Sequence, residues 1–279
     1  MKLLITVLTP FLLMGQSERY NVTINEILAD PSPIVGLPNT EFIELRNNSK
    51  QPINLFKWKI DNGSTSATIS SQFILGPDSL VVLCSKTQAV FFSSQINTLG
   101  ITSFPTLGND GDLITLTSAD GKTMHAVEYD KKWFNNVLKS EGGWSLEMID
   151  PLRPCDKNNW SGSIHFSGGT PGKENSIFKK GGSYETIEAM QCIALDEHRL
   201  MLQLNQGADS LSMSDIKNYS LGNEKYIPER TKSIAPLFNK AELYFKNPLL
   251  PNTLYELTAK TILRSEEHTS ELQSLACIS

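Results

Sequence analysis

Residues 22–47, VTINEILADPSPIVGLPNTEFIELRN, constrain what this chain can fold into more than any other stretch. Two runs, 22–29 and 41–47, mix β-branched and aromatic side chains with polar ones at a period near two, the pattern of strands with one face buried. Between them stand Pro31, Pro33, Gly36 and Pro38. A proline gives no hydrogen bond to a ladder and its ring blocks a continuing helix, so the link is a surface loop joining two strands.

The same short-strand pattern continues downstream. Residues 53–60 (INLFKWKI) run into Asp61, Asn62 and Gly63, where the Asn-Gly pair supplies the positive φ of a hairpin. A turn at Gly76, Pro77 and Asp78 precedes residues 79–84 (SLVVLC), apolar enough for a central strand buried on both faces. Residues 87–92 read as one helical turn capped by Ser85 or Thr87. A second hairpin is expected from 112–117 and 123–129 about the turn Ala119, Asp120 and Gly121. Short strands, Gly/Pro turns and almost no helical periodicity argue for an antiparallel immunoglobulin-type sandwich. Trp58, Trp144 and Trp160 are expected between its sheets as large fillers.

Five motifs in order carry a family resemblance. They are INEI with EFIEL in residues 22–47, the hairpin of 107–129 with its GD strand and VEY strand, GGWSLE at 142–147, NW at Asn159 and Trp160, and GGTPGKEN at 168–175. Together they resemble the lamin tail domain over residues 22–176, with Met148 where that family often has a basic residue. The resemblance implies a sandwich of two sheets and leaves the activity open, because fold alone does not carry function.

Lys179, Lys180, Gly181, Gly182 and Ser183 form a short flexible joint, after which the strand pattern restarts. Leu200, Leu202 and Leu204 alternate with Arg199, Met201 and Gln203, and the pattern returns at Leu243, Phe245, Tyr255, Leu257 and Ala259. Ser214 with Tyr219, Ser220 and Leu221, and Leu250 with Tyr255, Glu256 and Leu257, resemble the bacterial immunoglobulin-like repeats of surface proteins. The expected fold is therefore all-β: two immunoglobulin-like antiparallel β-sandwiches in tandem, the second incomplete. Their expected bounds are 18–178 and 184–263, with the joint at 179–183.

Both ends of the chain read differently from the middle. Residues 1–17, MKLLITVLTPFLLMGQS, have one basic residue, a short apolar run and small residues at its end, as in a secretory signal peptide cut between Gly15 and Glu18. No cysteine follows the run, so no lipoprotein anchor is expected, and no later segment is apolar enough to span a membrane. The mature chain is expected to be exported, secreted or at the cell surface. Residues 264–274, RSEEHTSELQS, look like the translation of a sequencing-library adapter, and 275–279 like its continuation. On that reading 264–279 are foreign, His268 and Cys277 carry no chemistry, and the second sandwich lacks its closing strand and keeps an unpaired edge.

The search for chemistry returns little. With a net charge of −5 there is no basic footprint for nucleic acid, and Lys131, Lys132, Lys179 and Lys180 read as solvated loop charges. His125, His165 and His198 stand in no metal-ligand spacing, and no nucleophile elbow, zinc-protease helix or phosphate-binding loop is present. Glu26, Asp30, Glu41, Glu44, Asp110 and Asp112 do not follow a calcium loop, and Asn, Asp and Gly at a hairpin are ordinary turn residues. No cofactor is expected.

In an exported chain cysteines can pair, and Cys84 and Cys155 are the disulfide candidates, leaving Cys192 as a buried strand residue. Such a bridge would contribute roughly 3–5 kcal/mol in the chain-entropy account; three buried thiols are the alternative. The chain therefore reads as a non-catalytic exported or cell-surface interaction or scaffold module for protein or glycan. The other reading is the N-terminal accessory region of a larger secreted hydrolase, a nuclease or phosphoesterase.

Overall fold

The opening runs pair as their alternation demands. In the computed structural model, β1 (Val22–Leu28) lies antiparallel to β2 (Phe42–Asn47), with Ile24 opposite Leu45 and Ile27 opposite Ile43. The structure describes residues 18–182, 185–222 and 226–264, together with the backbone of β-strand Ser270–Ile278. The signal-peptide reading of 1–17, the end of the joint at Ser183 and His268 lie outside the described residues.

After β2 come β3 (Ile53–Asn54), β4 (Lys59–Asp61), β5 (Ser66–Thr68), β6 (Ile74–Leu75), β7 (Leu80–Ser85) and β8 (Thr98–Ile101). The first body is completed by β9 (Gly111–Thr117), β10 (Thr123–Asp130), β11 (Leu146–Met148) and β12 (Trp160–Gly162). A six-stranded sheet in the order β12-β11-β1-β2-β7-β8 faces a four-stranded sheet in the order β10-β9-β4-β5, with β3 and β6 as a small pair. Every neighbour is antiparallel except β7 and β8. Ile24, Leu45, Trp58, Ile60, Leu116 and Trp160 belong to the core between them.

β7 lies between β2 and β8, and its Val81, Val82, Leu83 and Cys84 are all buried, as a central strand requires. One face feeds the main core, while Val82 and Cys84 join Leu28, Phe42 and Phe92 in a smaller cluster. Gly63 and Gly121 take φ of +82° and +85° at the two hairpin ends, the left-handed conformation expected there.

Three expectations for this body are corrected. The turn after β7 is a 3-10 turn, Ala89–Phe91, preceded by Gln88 with no side-chain cap, because the Ser85 and Thr87 hydroxyls bond each other at 3.2 Å. Trp144 is not a core filler. Gly142 and Gly143 turn the chain with positive φ just before it, and Trp144 precedes β11, outside the pleat that would aim it inward. It lies half-buried with the Lys139 ammonium 4.6 Å from its ring centre. Cys84 and Cys155 both remain thiols. Cys84 is sealed in its apolar cluster, whereas Cys155 stands in a loop against Gly207 of the second body, so the two are not brought together. Burial pushes the Cys84 thiol up to about 11.

The second body holds β13 (Ala189–Asp196), β14 (Arg199–Leu204), β15 (Tyr219–Leu221), β16 (Arg230–Ser233), β17 (Lys240–Tyr244), β18 (Leu254–Leu263) and β19 (Ser270–Ile278). They form sheets β13-β14-β17-β16 and β15-β18-β19. Leu200, Leu202 and Leu204 of β14 pack with Leu243, Tyr255, Leu257 and Ala259 in a core of their own. Cys192 of β13 is buried, as expected, but it is also disulfide-bonded. The expected open edge is occupied: β19, inside the stretch read as foreign, pairs with β18 from Leu254 opposite Ile278 to Leu263 opposite Ser270. An edge ladder offers N–H and C=O groups to any extended segment in reach, so pairing there asks for little sequence specificity. Among the described residues no helix is long and apolar enough to cross a membrane.

Candidate functional site: a row of buried glutamates

Three of the strand residues buried in the six-stranded sheet are glutamates. Glu26 sits in β1, Glu44 in β2 and Glu147 in β11. β1 lies between the other two strands, and its register sets Glu26 opposite both Glu44 and Glu147. All three are 0% exposed. Like charges directly opposite each other in a sheet are destabilising, and buried unpaired charge far more so.

The closing segment resolves the conflict. The Ser145 hydroxyl donates to Glu26 Oε1 at 2.6 Å and the Thr170 backbone N–H donates to the same oxygen at 2.8 Å. Glu44 accepts from Asn25 Nδ2 at 2.9 Å and from the Gly172 backbone N–H. Glu147 Oε1 accepts from the Thr170 hydroxyl at 3.0 Å, and its Oε2 accepts from Ser176 Oγ at 2.8 Å and the Ile177 N–H at 3.2 Å. Asn175 fastens the segment, donating to Asn25 O at 3.0 Å and Met148 O at 2.7 Å and accepting from Asn25 Nδ2. A Cβ at Gly169 would stand 2.6 Å from Glu26 Oε1 and 2.7 Å from Ser145 Oγ, so only glycine lets the chain approach this closely.

Electrostatics sets the protons. Burial, then the neighbouring Glu44 and Glu147, hold Glu26 well above the ordinary carboxylate range against the Ser145 and Thr170 hydrogen bonds. Burial pushes Glu44 up to about 7, opposed by the Gly172 and Asn25 bonds. The Thr170 hydroxyl lies 3.0 Å from Glu147 Oε1 and 3.5 Å from Glu26 Oε2 but has one proton to give. The shorter bond takes that proton to Glu147, and the raised Glu26 value favours the neutral acid, with Oε2 the oxygen whose described contact is the longest. The row is thus a closed hydrogen-bond chain whose carboxylate oxygens are taken by the protein's own groups.

Other titratable groups lie outside this row: Asp150 and Asp156 flank the Arg153 guanidinium, and Asp110, Asp112, Glu128, Asp130 and Asp156 line a cavity beside β10. His125 of β10 is fully buried; its Nδ1 accepts from the Ile24 N–H at 3.0 Å, which leaves Nε2–H to donate to Pro154 O at 3.0 Å. Burial pulls it down to about 4, so the ring is a neutral staple between β10, β1 and the loop before β12. His165 turns back on Ser167, 2.6 Å from its hydroxyl, and His198 lies 2.9 Å from Phe245 O. Asp110 pairs with Lys131, and Asp112 accepts from Asn62 Nδ2 at 3.0 Å. Asp30 accepts from Asn109 at 3.0 Å and Glu41 from the Leu107 N–H at 3.1 Å. Of the six acids in the calcium reading, Glu26 and Glu44 share this buried row, Asp110 and Asp112 line a separate cavity, and Glu147, the third acid of the row, is not among the six. Its signal was readable: an acid between Leu146 and Met148, as Glu26 stands before Ile27 and Glu44 between Ile43 and Leu45. Among the described residues no group of three or more His, Cys, Asp or Glu side chains is arranged to hold a metal.

Stacked, mostly antiparallel sheets around a packed core define an all-β protein with an immunoglobulin-like sandwich. The family model of the Lamin Tail Domain matches residues 16–131. β11, β12 and the segment over the glutamates, which complete the same six-stranded sheet, follow that match in the chain. Among solved structures, the crystal structure of the N-terminal part of the bacterial S-layer protein SbsC is similar with a TM-score of 0.29 and 12% identity. That likeness covers 34% of this chain and 24% of the S-layer chain. No curated protein matches the chain.

Proposed function

We propose that this chain is a non-catalytic interaction and scaffold module that works outside the cell and presents its sheets to a protein or glycan. Its parts are a lamin-tail-like sandwich at 18–178, a joint at 179–183 and an immunoglobulin-like sandwich at 184–263, exported by residues 1–17. The observation that carries the reading is the closed glutamate row. Glu26, Glu44 and Glu147 converge in the first sheet, and they are fully buried and bonded to the chain's own hydroxyls and amides. A carboxylate that is to act as a general base must instead reach a substrate proton.

The purified full chain, incubated with Mg²⁺, Mn²⁺, Zn²⁺ or Ca²⁺ and chromogenic esters, phosphodiesters and glycosides, is expected to give no turnover above buffer. Turnover that disappears in Glu26→Gln would overturn the reading. Export is tested separately: a reporter fused behind residues 1–17 is expected outside the cytoplasm, and its retention inside removes that half.

A further inference from the structure

The second sheet of the first body ends at β10, and the outer side of that strand is open. Two hydrogen bonds set which backbone groups face outward. The Lys131 N–H donates to Asp110 O at 3.0 Å, toward β9, while Met124 O accepts from the Tyr20 N–H at 3.0 Å on the opposite side. The register from Ala126 opposite Thr115 to Asp130 opposite Gly111 is unbroken. Antiparallel pairing alternates, so the N–H and C=O groups of Ala126, Glu128 and Asp130 point away from β9. Among the described residues no backbone group bonds them.

These groups do not face bulk solvent on a convex surface. They line a cavity of about 510 Å³ between the two bodies, walled by Trp133 and Trp160 on one side and by Gln206, Gly207 and Leu237 on the other. Residues 126–130 extend over about 13 Å, room for a peptide of about five residues to pair at strand spacing. Charge selects the partner. Asp110, Asp112, Glu128, Asp130 and Asp156 line the cavity against Arg19 and Lys157, and of these acids Asp110, Asp130 and Asp156 are paired with Lys131, Lys132 and Arg153, while the Arg19 guanidinium is stacked 4.6 Å from the Tyr20 ring centre and 4.4 Å from that of Phe238. Glu128, exposed on the open strand, has no cation in salt-bridge reach among the described residues.

We propose that the outer edge of β10 docks an extended, basic peptide, which adds a fifth strand to the four-stranded sheet inside the groove. This rests on the interaction-module reading and names its partner. Backbone pairing supplies affinity and the acidic lining supplies selectivity, the division of labour of strand addition in general.

The probe is a fluorescent ten-residue peptide alternating Lys and Val, titrated into the full chain by anisotropy. Two controls accompany it: the same peptide N-methylated at alternate backbone amides, and a Glu/Val counterpart. The Lys/Val peptide is expected to bind, with each control at least tenfold weaker. Amide hydrogen exchange of the wild-type chain is expected to slow at Ala126, Glu128 and Asp130 when the peptide is bound. Glu128→Pro removes an outward N–H and no ladder bond, so it is expected to leave the sheet standing and to abolish binding. Equal binding of the methylated peptide would mean charge attraction alone and overturn the proposal. So would binding of none of the peptides, or exchange protection that appears elsewhere. Such a failure with no enzymatic turnover leaves the module reading intact with a different surface. Turnover lost in Glu26→Gln removes that reading whatever the peptide does.

Discussion

Thr170 stands between two carboxylates with a single proton to share, and that asymmetry separates residues that look alike. The raised Glu26 value favours the neutral acid, and an amide NH₂ placed at Oε2 would face the Thr170 oxygen while the amide oxygen keeps Ser145 and the Thr170 N–H. Glu26→Gln is expected to change stability by no more than about 0.5 kcal/mol near pH 5, as an isosteric swap that keeps its partners should. Glu147 faces donors on both oxygens, so Glu147→Gln sets an NH₂ against Ser176 and Ile177 or against Thr170. The expected cost is about 1–3 kcal/mol for a buried group left unsatisfied, read as a drop in the urea midpoint at constant slope.

The pH dependence follows from the same groups. Glu26 and Glu44 titrate above their ordinary 4.5 when folded, Glu44 at about 7. Below 4.5 both states hold the protons. As pH rises the unfolded chain releases them first, so stability falls until the folded groups ionise, by about 3 kcal/mol for Glu44 alone at 1.36 kcal/mol per unit. His125 acts in the opposite sense. Its folded value is lowered from 6.5 to about 4, so its contribution is present above 6.5 and is lost as pH falls toward 4. Above pH 6.5 the carboxylates act without that opposition. The urea midpoint is expected to decline from about pH 4.5, where two carboxylates outweigh one histidine, more steeply between 6.5 and 7, and the decline to be shallower in Glu26→Gln. A flat profile in the wild type would contradict a protonated Glu26.

The acids themselves were visible in the sequence; their convergence was not. An irregularity between Ile24 and Glu26 fixes the register of β1 against β2, and a slip of one residue would send Glu26 to the other face. No local pattern encodes that choice.

At the scale of elements, alternation was enough wherever one face is wet. β14 is buried at Leu200, Leu202 and Leu204 and only partly so at the alternating Arg199, Met201 and Gln203, and the Asn-Gly and Asp-Gly turns fall where positive φ is needed. It was uninformative where both faces are covered: every residue of β1 is buried, Thr23 and Asn25 included, which period-two reasoning would have put in water. The hidden cause is the glycine-rich segment after β12, which covers the far face and satisfies those polar groups. Glycine-rich motifs look like loops in sequence because their hydrogen bonds are made by backbone N–H groups that every residue has. The pairing of β18 with β19 also has an element-scale consequence. A chain ending at Leu263 keeps β18 bonded to β15 alone and exposes ten residues of ladder, with Tyr255, Leu257 and Ala259 alternating along it. That variant is expected to self-associate with concentration in light scattering, where the full chain does not; a monodisperse truncated chain would show that β19 protects nothing.

At the scale of the whole molecule, the two cores have no residue in common, and polar contacts bridge the bodies. Arg19, one residue before Tyr20, reaches across to donate to Ala208 O at 3.4 Å and to lay its guanidinium 4.4 Å from the Phe238 ring centre, while Asn158 bonds Glu185 near the joint. Interfaces of this polar kind couple domains weakly. Calorimetry of the full chain is therefore expected to resolve two transitions, the larger enthalpy belonging to the first body, with a total calorimetric enthalpy above the van't Hoff value, since two independent units break two-state behaviour. Arg19→Ala should lower the transition of the less stable body by a few degrees, about the effect of losing 1 kcal/mol in a domain of this size, and leave the other in place. A single two-state transition that survives Arg19→Ala would mean that the bodies fold as one. The groove along β10 would then be a fixed cleft and not the seam between two separately stable units.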